Sequence, residues 1–311
     1  MKEGISQRDA FWNSVFDCAK KDRNVVVVAA DMGAPSLDRF RRDLSSQFFD
    51  VGIAEQQAVA LATGLALAGK KVFAYAIAPF ITLRCYEHIR LDMAAMDLPV
   101  TLVGVGAGFS YEDSGPTHHC VEDLSVMRIL PNLQVHNMTD SVMAGAYGAI
   151  SCGLKHPNYV RLDRQLLPSL YREGHDFSEG VSVLKRGKRA FIVATGNMVH
   201  RALDVAKSLS KRFPDIGVID AYTLPLAEKP LLAALRGAEK VITLEEHTLP
   251  GGLGGAVCEI LADNGVTVPI RRIGVRFEST YCYKYGGRES ILKRYGLSGA
   301  DIANKIGSFL G

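Results

Sequence analysis

Glu55 precedes a run of Ala, Val, Leu and Gly, in the first turn of the helix that this composition predicts through about Gly69. In that position a carboxylate favours the helix N-terminus by about 0.3–1 kcal/mol. The predicted helix is apolar nearly all round, so its start is expected to be buried. A buried carboxylate has a raised pKa and can hold or exchange a proton near neutrality. The stretch Phe109–Cys120, FSYEDSGPTHHC, gathers two carboxylates, two adjacent histidines and a Gly-Pro step in one loop. That set suits general acid–base work on hydroxyl or carbonyl groups, and it is equally the composition of a solvated surface loop. A metal site fits less well, because adjacent residues such as His118 and His119 point apart in both helix and strand. Arg161-Leu162-Asp163-Arg164 either grips an anion or forms an ion-pair cluster. Gly251-Gly252-Leu253-Gly254-Gly255 looks like a dinucleotide loop, but it lies several residues beyond the strand ending at Leu244 and no acidic residue closes the expected unit. A tight turn with close helix packing is the better reading.

Loops of this kind are held by strands. β-branched runs alternate with amphipathic stretches along all 311 residues, which predicts parallel sheets with helices on their faces. Strands are expected at residues 24–30, 71–76, 98–105, 134–137 and 159–162, then at 190–194, 216–220, 240–244 and 268–273. Helices are expected at 55–69, 79–96 and from Asp140, then near 199–212, 231–236, 253–263, 288–295 and 299–310. Asp31 to Ser36 reads as a loop at a strand's C-terminal end. The fold class is α/β, as two three-layer α/β/α domains: residues 1–165, a linker over 166–189 rich in Pro, Gly and alternating charge, and residues 190–311. Net charge is +3 with both signs interspersed, so nothing points to nucleic acid or an acidic membrane. The opening MKEGISQRDAFWN lacks the apolar run expected of a signal peptide, and no apolar stretch is long and uninterrupted enough to be expected to cross a bilayer. The six cysteines lack CxxC spacing and lie in apolar segments, which suggests buried reduced thiols and a cytoplasmic setting.

Taken in order, FFDVGIAEQQAVALATGLALAGKKVFAYAIAPFITLRCYEHIRLDMA, GPTHHCVEDLSVMRILPNLQV, LEEHTLPGGLGGAVCEIL and YGGRESILKRYGLSGADI resemble the C-terminal half of transketolase. The likeness is strongest to the two-subunit form, in which that half is a separate chain, and it covers nearly the whole sequence. GIAEQ before an Ala/Gly-rich helix is its most specific part, with GPTH followed by EDL and MRILPN close behind. The resemblance implies a pyrimidine-binding thiamine diphosphate domain followed by a transketolase C-terminal domain. It makes Glu55 the group that hydrogen-bonds to, or protonates, the cofactor's pyrimidine ring nitrogen and so helps to generate the thiazolium carbanion. Phe80 falls on the residue that stacks on the pyrimidine, Ile77 on a position often aromatic, and Asp31 on the cofactor-binding loop. His118 falls on the histidine that contacts substrate hydroxyls, and Arg164 on an arginine that often binds a sugar phosphate.

The departures bear on the substrate. Where the family often has Gly-Glu-Asp-Gly, this chain has Glu112-Asp113-Ser114-Gly115, so Ser114 takes the usual Asp place and Asp113 is available to substitute. A further phosphate-holding histidine aligns with Gly106. No Gly-Asp-Gly segment occurs, so diphosphate and Mg²⁺ are expected mainly on a partner, an N-terminal transketolase-like subunit. Family precedent adds self-association as a dimer or heterotetramer. The expected reaction is transfer of a two-carbon ketol unit from a ketose to an aldehyde. Alternatives are a pyruvate-type donor, as in deoxyxylulose phosphate synthases and 2-oxoacid dehydrogenase β-subunits, and a non-catalytic scaffold.

Overall fold

The computed structural model describes residues 4–277 and 281–311. Its first sheet is built from β1 (Val25–Ala29), β2 (Phe48–Asp50), β3 (Lys71–Ile77), β4 (Val100–Val105), β5 (Gln134–Asn137) and β6 (Asn158–Leu162). These six strands run parallel, in the spatial order β5-β6-β4-β3-β1-β2. β1 shows why the sheet needs two covering layers, since all five of its residues are buried. Side chains alternate across a strand, and accordingly Val25 and Val27 pack with one apolar cluster while Val26 and Val28 pack with another.

On the first face lie α1 (Gln7–Ala19), α2 (Pro35–Asp43) and, further along the chain, α7 (Ser141–Ser151). Sequence patterning did not anticipate α1 or α2. In α1, Phe11, Trp12, Val15, Phe16 and Ala19 are buried at helical spacing, and Ser6 caps the helix by accepting from the Asp9 N–H. On the opposite face, α3 (Glu55–Leu67) packs Ala58, Val59 and Ala62 against Val26, Val28 and Ala74. The single helix expected over 79–96 is broken into α4 (Ala78–Thr82), α5 (Tyr86–His88) and a π-helical turn at Ile89–Ala94. Pro79 sits at the start of α4, where its missing N–H is harmless. The wider turn of the π segment still buries Ile89, Met93 and Ala94. α6 (Asp123–Met127) completes this layer.

The second sheet contains β7 (Val181–Lys185), β8 (Ala190–Ala194), β9 (Ile216–Ala221), β11 (Lys240–Thr248) and β12 (Ile270–Val275), in the order β12-β11-β8-β9-β7. β7 lies inside the stretch read as a linker and pairs antiparallel with β9, as an edge strand. Its half-exposed residues carry neither a continuous apolar run nor clean alternation. Between β9 and β11, the two-residue β10 (Thr223–Leu224) crosses over and pairs antiparallel with β5, so the second half of the chain supplies the outer strand of the first sheet. Around the second sheet lie α8 (Met198–Ser208), α9 (Glu228–Ala234), α10 (Leu253–Asp263), α11 (Arg288–Arg294) and α12 (Gly299–Leu310). The architecture is therefore two α/β units, each a sheet flanked by helices. All six cysteines are free: Cys85, Cys120 and Cys152 are buried, whereas Cys18, Cys258 and Cys282 are only partly covered, which corrects the expectation that all would be inside.

Candidate active site

In open parallel sheets, ligands gather beyond the carboxyl ends of the strands. Asp31 follows β1, Glu55 follows β2, Ile77 ends β3 with Phe80 just beyond it, Asp113, Ser114 and His118 follow β4, and Arg164 follows β6. Topology therefore delivers these residues to one end of one sheet.

Five contacts join the centre of this set into a line. Glu55 is 5% exposed, and its Oε2 accepts a hydrogen bond from Arg84 Nη1 at 2.7 Å. The other carboxylate oxygen has no hydrogen-bond partner among the described residues. The Arg84 guanidinium lies over the Phe80 ring, 4.3 Å from its centroid. Phe80 meets the His118 ring edge-on at 5.0 Å, and His118 lies 5.6 Å from the Tyr111 ring. Tyr111 in turn carries the Arg164 guanidinium on its face at 4.2 Å. Burial and then the Arg84 charge lower the pKa of His118 below its ordinary value, which favours a neutral imidazole able to accept a proton. Its Nδ1 is 2.9 Å from Thr117 Oγ1. Asp31 stands apart from this line: it is exposed, it has a φ of 49°, and among the described residues only its backbone N–H is engaged, by Asp50.

Two clefts flank the line. One of about 510 Å³ is bounded by Ile53, Glu55, Gln57, Arg84 and His88. The other, of about 550 Å³, is bounded by Ser110, Asp113, Ser114, Arg164 and Gly287. A larger cleft, about 750 Å³, lies elsewhere, between the 165–170 stretch and the α8 and α12 helices, and contains none of the singled-out residues.

Gly106 has a φ of 105°, and a Cβ there would run into the Tyr111 ring. Tyr111 thus occupies the space that a histidine at position 106 would need. The paired histidines do diverge: His118 faces Phe80, while His119 is buried edge-on against Phe109 at 5.0 Å. Among the described residues no group of three or more His, Cys, Asp or Glu is placed to hold a metal.

The Arg161–Arg164 cluster divides. Arg161 is buried and donates to Asp123 at 2.7 Å. Asp163 is buried against Arg288, and only Arg164 is exposed, with no acidic partner among the described residues. Arg288, from the second half of the chain, was not foreseen. Its guanidinium grips Asp163 through both oxygens, at 2.6 and 2.9 Å, and Glu246 through both, each at 3.0 Å. Its backbone N–H donates to Glu112 at 2.6 Å. Glu246 also accepts from the Phe109 N–H at 2.7 Å. The loop after β4 is therefore fastened from beneath by β11 and by the start of α11.

The glycine-rich run behaves as a tight turn. Glu245 accepts from the Leu253 and Gly254 N–H groups at 2.7 and 2.8 Å, so the α10 N-terminus is already filled by a carboxyl group of its own chain. A Cβ at Gly252 would collide with Glu245 Oε2, and one at Gly254 would lie 2.6 Å from Thr243 Oγ1.

Comparison with known proteins identifies the family. Residues 3–169 match the transketolase pyrimidine-binding domain, and residues 179–302 match the transketolase C-terminal domain. The chain belongs to the transketolase family, a family of thiamine diphosphate-dependent enzymes. It is 31% identical to one of the subunits of the apulose-4-phosphate transketolase of Phocaeicola vulgatus, over 98% of each chain. It is 35% identical to the 1-deoxy-D-xylulose-5-phosphate synthase of Gloeobacter violaceus, covering 95% of this chain but only 47% of that protein. A solved structure described as a split gene transketolase, inactive beta4 tetramer, superimposes with a TM-score of 0.87 at 31% identity, over 98% of each chain. Among the described residues no helix is long and apolar enough to cross a membrane.

Proposed function

We propose that this chain is the cofactor-activating subunit of a two-subunit transketolase that moves a two-carbon ketol unit from a ketose to an aldehyde. The observation that carries the reading is the continuous line from Glu55 through Phe80 and His118 to Arg164 at the strand carboxyl ends. The residues fit the pyrimidine half of thiamine diphosphate: a nearly buried carboxylate with one oxygen free of hydrogen bonds among the described residues stands next to a half-buried phenyl ring. When bound, that cofactor supplies the electron sink that lets a carbon–carbon bond beside a carbonyl break and re-form. Glu55 holds the proton shared with the pyrimidine nitrogen. Phe80 offers a face for stacking, worth about 0.5–1.5 kcal/mol beyond burial. Ile77, three residues before Phe80 at the end of β3, and Asp31, beyond β1, are assigned to the cofactor's surroundings by the resemblance. His118, as a neutral imidazole, accepts hydrogen bonds from substrate hydroxyls and takes up their protons, while Asp113 and Ser114 line the cleft that Arg164 bounds. Arg164 presents its guanidinium to an anionic end of the sugar.

Diphosphate and Mg²⁺ are assigned mainly to an N-terminal partner subunit, in keeping with the subunit naming of the Phocaeicola relative. Self-association is assigned to the α3 side, where Gln57, Ala60, Gly64 and Leu67 are exposed along one stripe and Ile53 is 80% exposed. A second reading keeps the cofactor and takes a pyruvate-type donor; the likeness to the deoxyxylulose phosphate synthase and the glycine at 106 favour it.

The chain and its partner, assembled with thiamine diphosphate and Mg²⁺, are expected to transfer ketol units without decarboxylating pyruvate. Glu55→Ala is expected to abolish turnover while the assembly persists. Full turnover in that variant would remove Glu55 from the chemistry, and pyruvate decarboxylation by the wild type would select the second reading.

A further inference from the structure

Arg84 makes two contacts that an arriving aminopyrimidine would also make. Its guanidinium is a flat cation that donates to the Glu55 carboxylate at 2.7 Å and lies on the Phe80 ring at 4.3 Å. A protonated aminopyrimidine is likewise flat and cationic, and on the functional reading above it uses the same carboxylate and the same ring. The Arg84 side chain is 47% exposed, against 5% for Glu55, so the arginine is free to swing toward solvent while the carboxylate stays where α3 fixes it. The Arg84 backbone carbonyl accepts from the Gln56 side chain at 3.3 Å, which anchors the main chain and leaves the guanidinium able to move.

We infer that Arg84 is a positioning residue that stands in for the cofactor's pyrimidine ring: it holds Glu55 in place and must give way before the cofactor seats. The inference rests on the proposed cofactor chemistry and adds to it a competition inside this chain. An arginine that merely oriented Glu55 for the cofactor would help binding. An arginine that competes for Glu55 and Phe80 opposes it, so the two roles predict opposite signs when the side chain is removed. Partly exposed ion pairs and cation–π contacts are each weak. Their loss is still enough to shift a dissociation constant by about five-fold.

The test is a calorimetric titration of thiamine diphosphate, with Mg²⁺, into the assembled two-subunit protein carrying wild-type Arg84, Arg84→Met or Arg84→Lys, together with the melting temperature of each before cofactor is added. Arg84→Met is expected to bind cofactor about five-fold more tightly and to melt lower than wild type before addition. Arg84→Lys keeps a cation without the flat face and should fall between the two; if the Met variant does not assemble, tighter binding by the Lys variant supports the same competition. Unchanged or weaker binding in these variants, with the wild type binding normally, overturns the inference and leaves the proposed function standing. Failure of the wild-type assembly to bind thiamine diphosphate at all overturns both.

Discussion

Replacing Arg288 by Met would remove a cation that two buried acids share. The Asp163 and Glu246 side chains are 2% and 1% exposed, and the Arg288 side chain is 8% exposed. Breaking a buried pair from one side costs about 3–5 kcal/mol, because the remaining charge keeps its desolvation penalty without its partner. Here two carboxylates are left, but neither is left bare. Asp163 keeps the Ser110 hydroxyl and the Gln165 N–H, and Glu246 keeps the Phe109 N–H and the Asn197 amide. The lower part of the range, about 3 kcal/mol, is therefore expected. With an m-value of about 3 kcal/mol/M in urea, the unfolding midpoint should fall by about 1 M. The deficit should also depend on pH. Burial raises the Asp163 pKa, but Arg288 outweighs burial and holds it below 3.8, so the pair stabilises the wild type above that value and loses its effect as pH falls through the folded pKa. The gap between wild type and variant should thus narrow as Asp163 is protonated. A midpoint shift under about 0.3 M at neutral pH would refute the reasoning, because it would mean that the charges are hydrated or relaxed despite their burial.

Other outcomes follow from packing and protonation. Gly106→Ala places a methyl group into the Tyr111 ring at a φ of 105° and should cost about 1–3 kcal/mol, measured by urea unfolding; adding Tyr111→Ala should recover part of that loss, and no recovery would mean that the clash is not with Tyr111. Burial pushes the Glu245 pKa up to about 8 against the backbone N–H groups that lower it, so the folded state keeps a proton that the unfolded state releases above 4.5. Stability from this group should fall as pH rises from 4.5 through about 8. Glu245→Gln should flatten the alkaline side of the stability profile, and an unchanged slope between about pH 6.5 and 8 would remove Glu245 as its source.

The sheets were readable because their strands announce themselves: Val25-Val26-Val27-Val28 and Ala190–Ala194 are apolar on both faces, as strands covered by helices must be. α1 was missed because Asp9, Asn13, Ser14 and Asp17 break up its apolar run, although Phe11, Trp12, Val15 and Phe16 carry the helical spacing. β7 was missed because an edge strand needs only one buried neighbour, and its half-covered residues do not alternate. That the candidate residues lie at strand ends was legible from motif and position. Arg84 carries no local signal of its own, because its role depends on a contact across 29 residues. Arg288 acts across 125 residues on Asp163, and no local pattern encodes such a partnership. The signal that could have pointed to Tyr111 was Gly106, since a glycine at the end of a buried strand often marks close approach by another group.

The strand pairing of Thr223–Leu224 with Val135 and His136 sets the size of the smallest transferable unit. Scission anywhere in 166–189 would leave β5 as a naked sheet margin, its N–H and C=O groups turned outward as a template for any passing chain. The first sheet is closed like a dovetail joint, its border completed by a tongue from the other half. A chimera or an excised fragment should therefore keep both halves together, because a cut before β10 strips β5 and a cut just after it parts β8 from β11 in the second sheet.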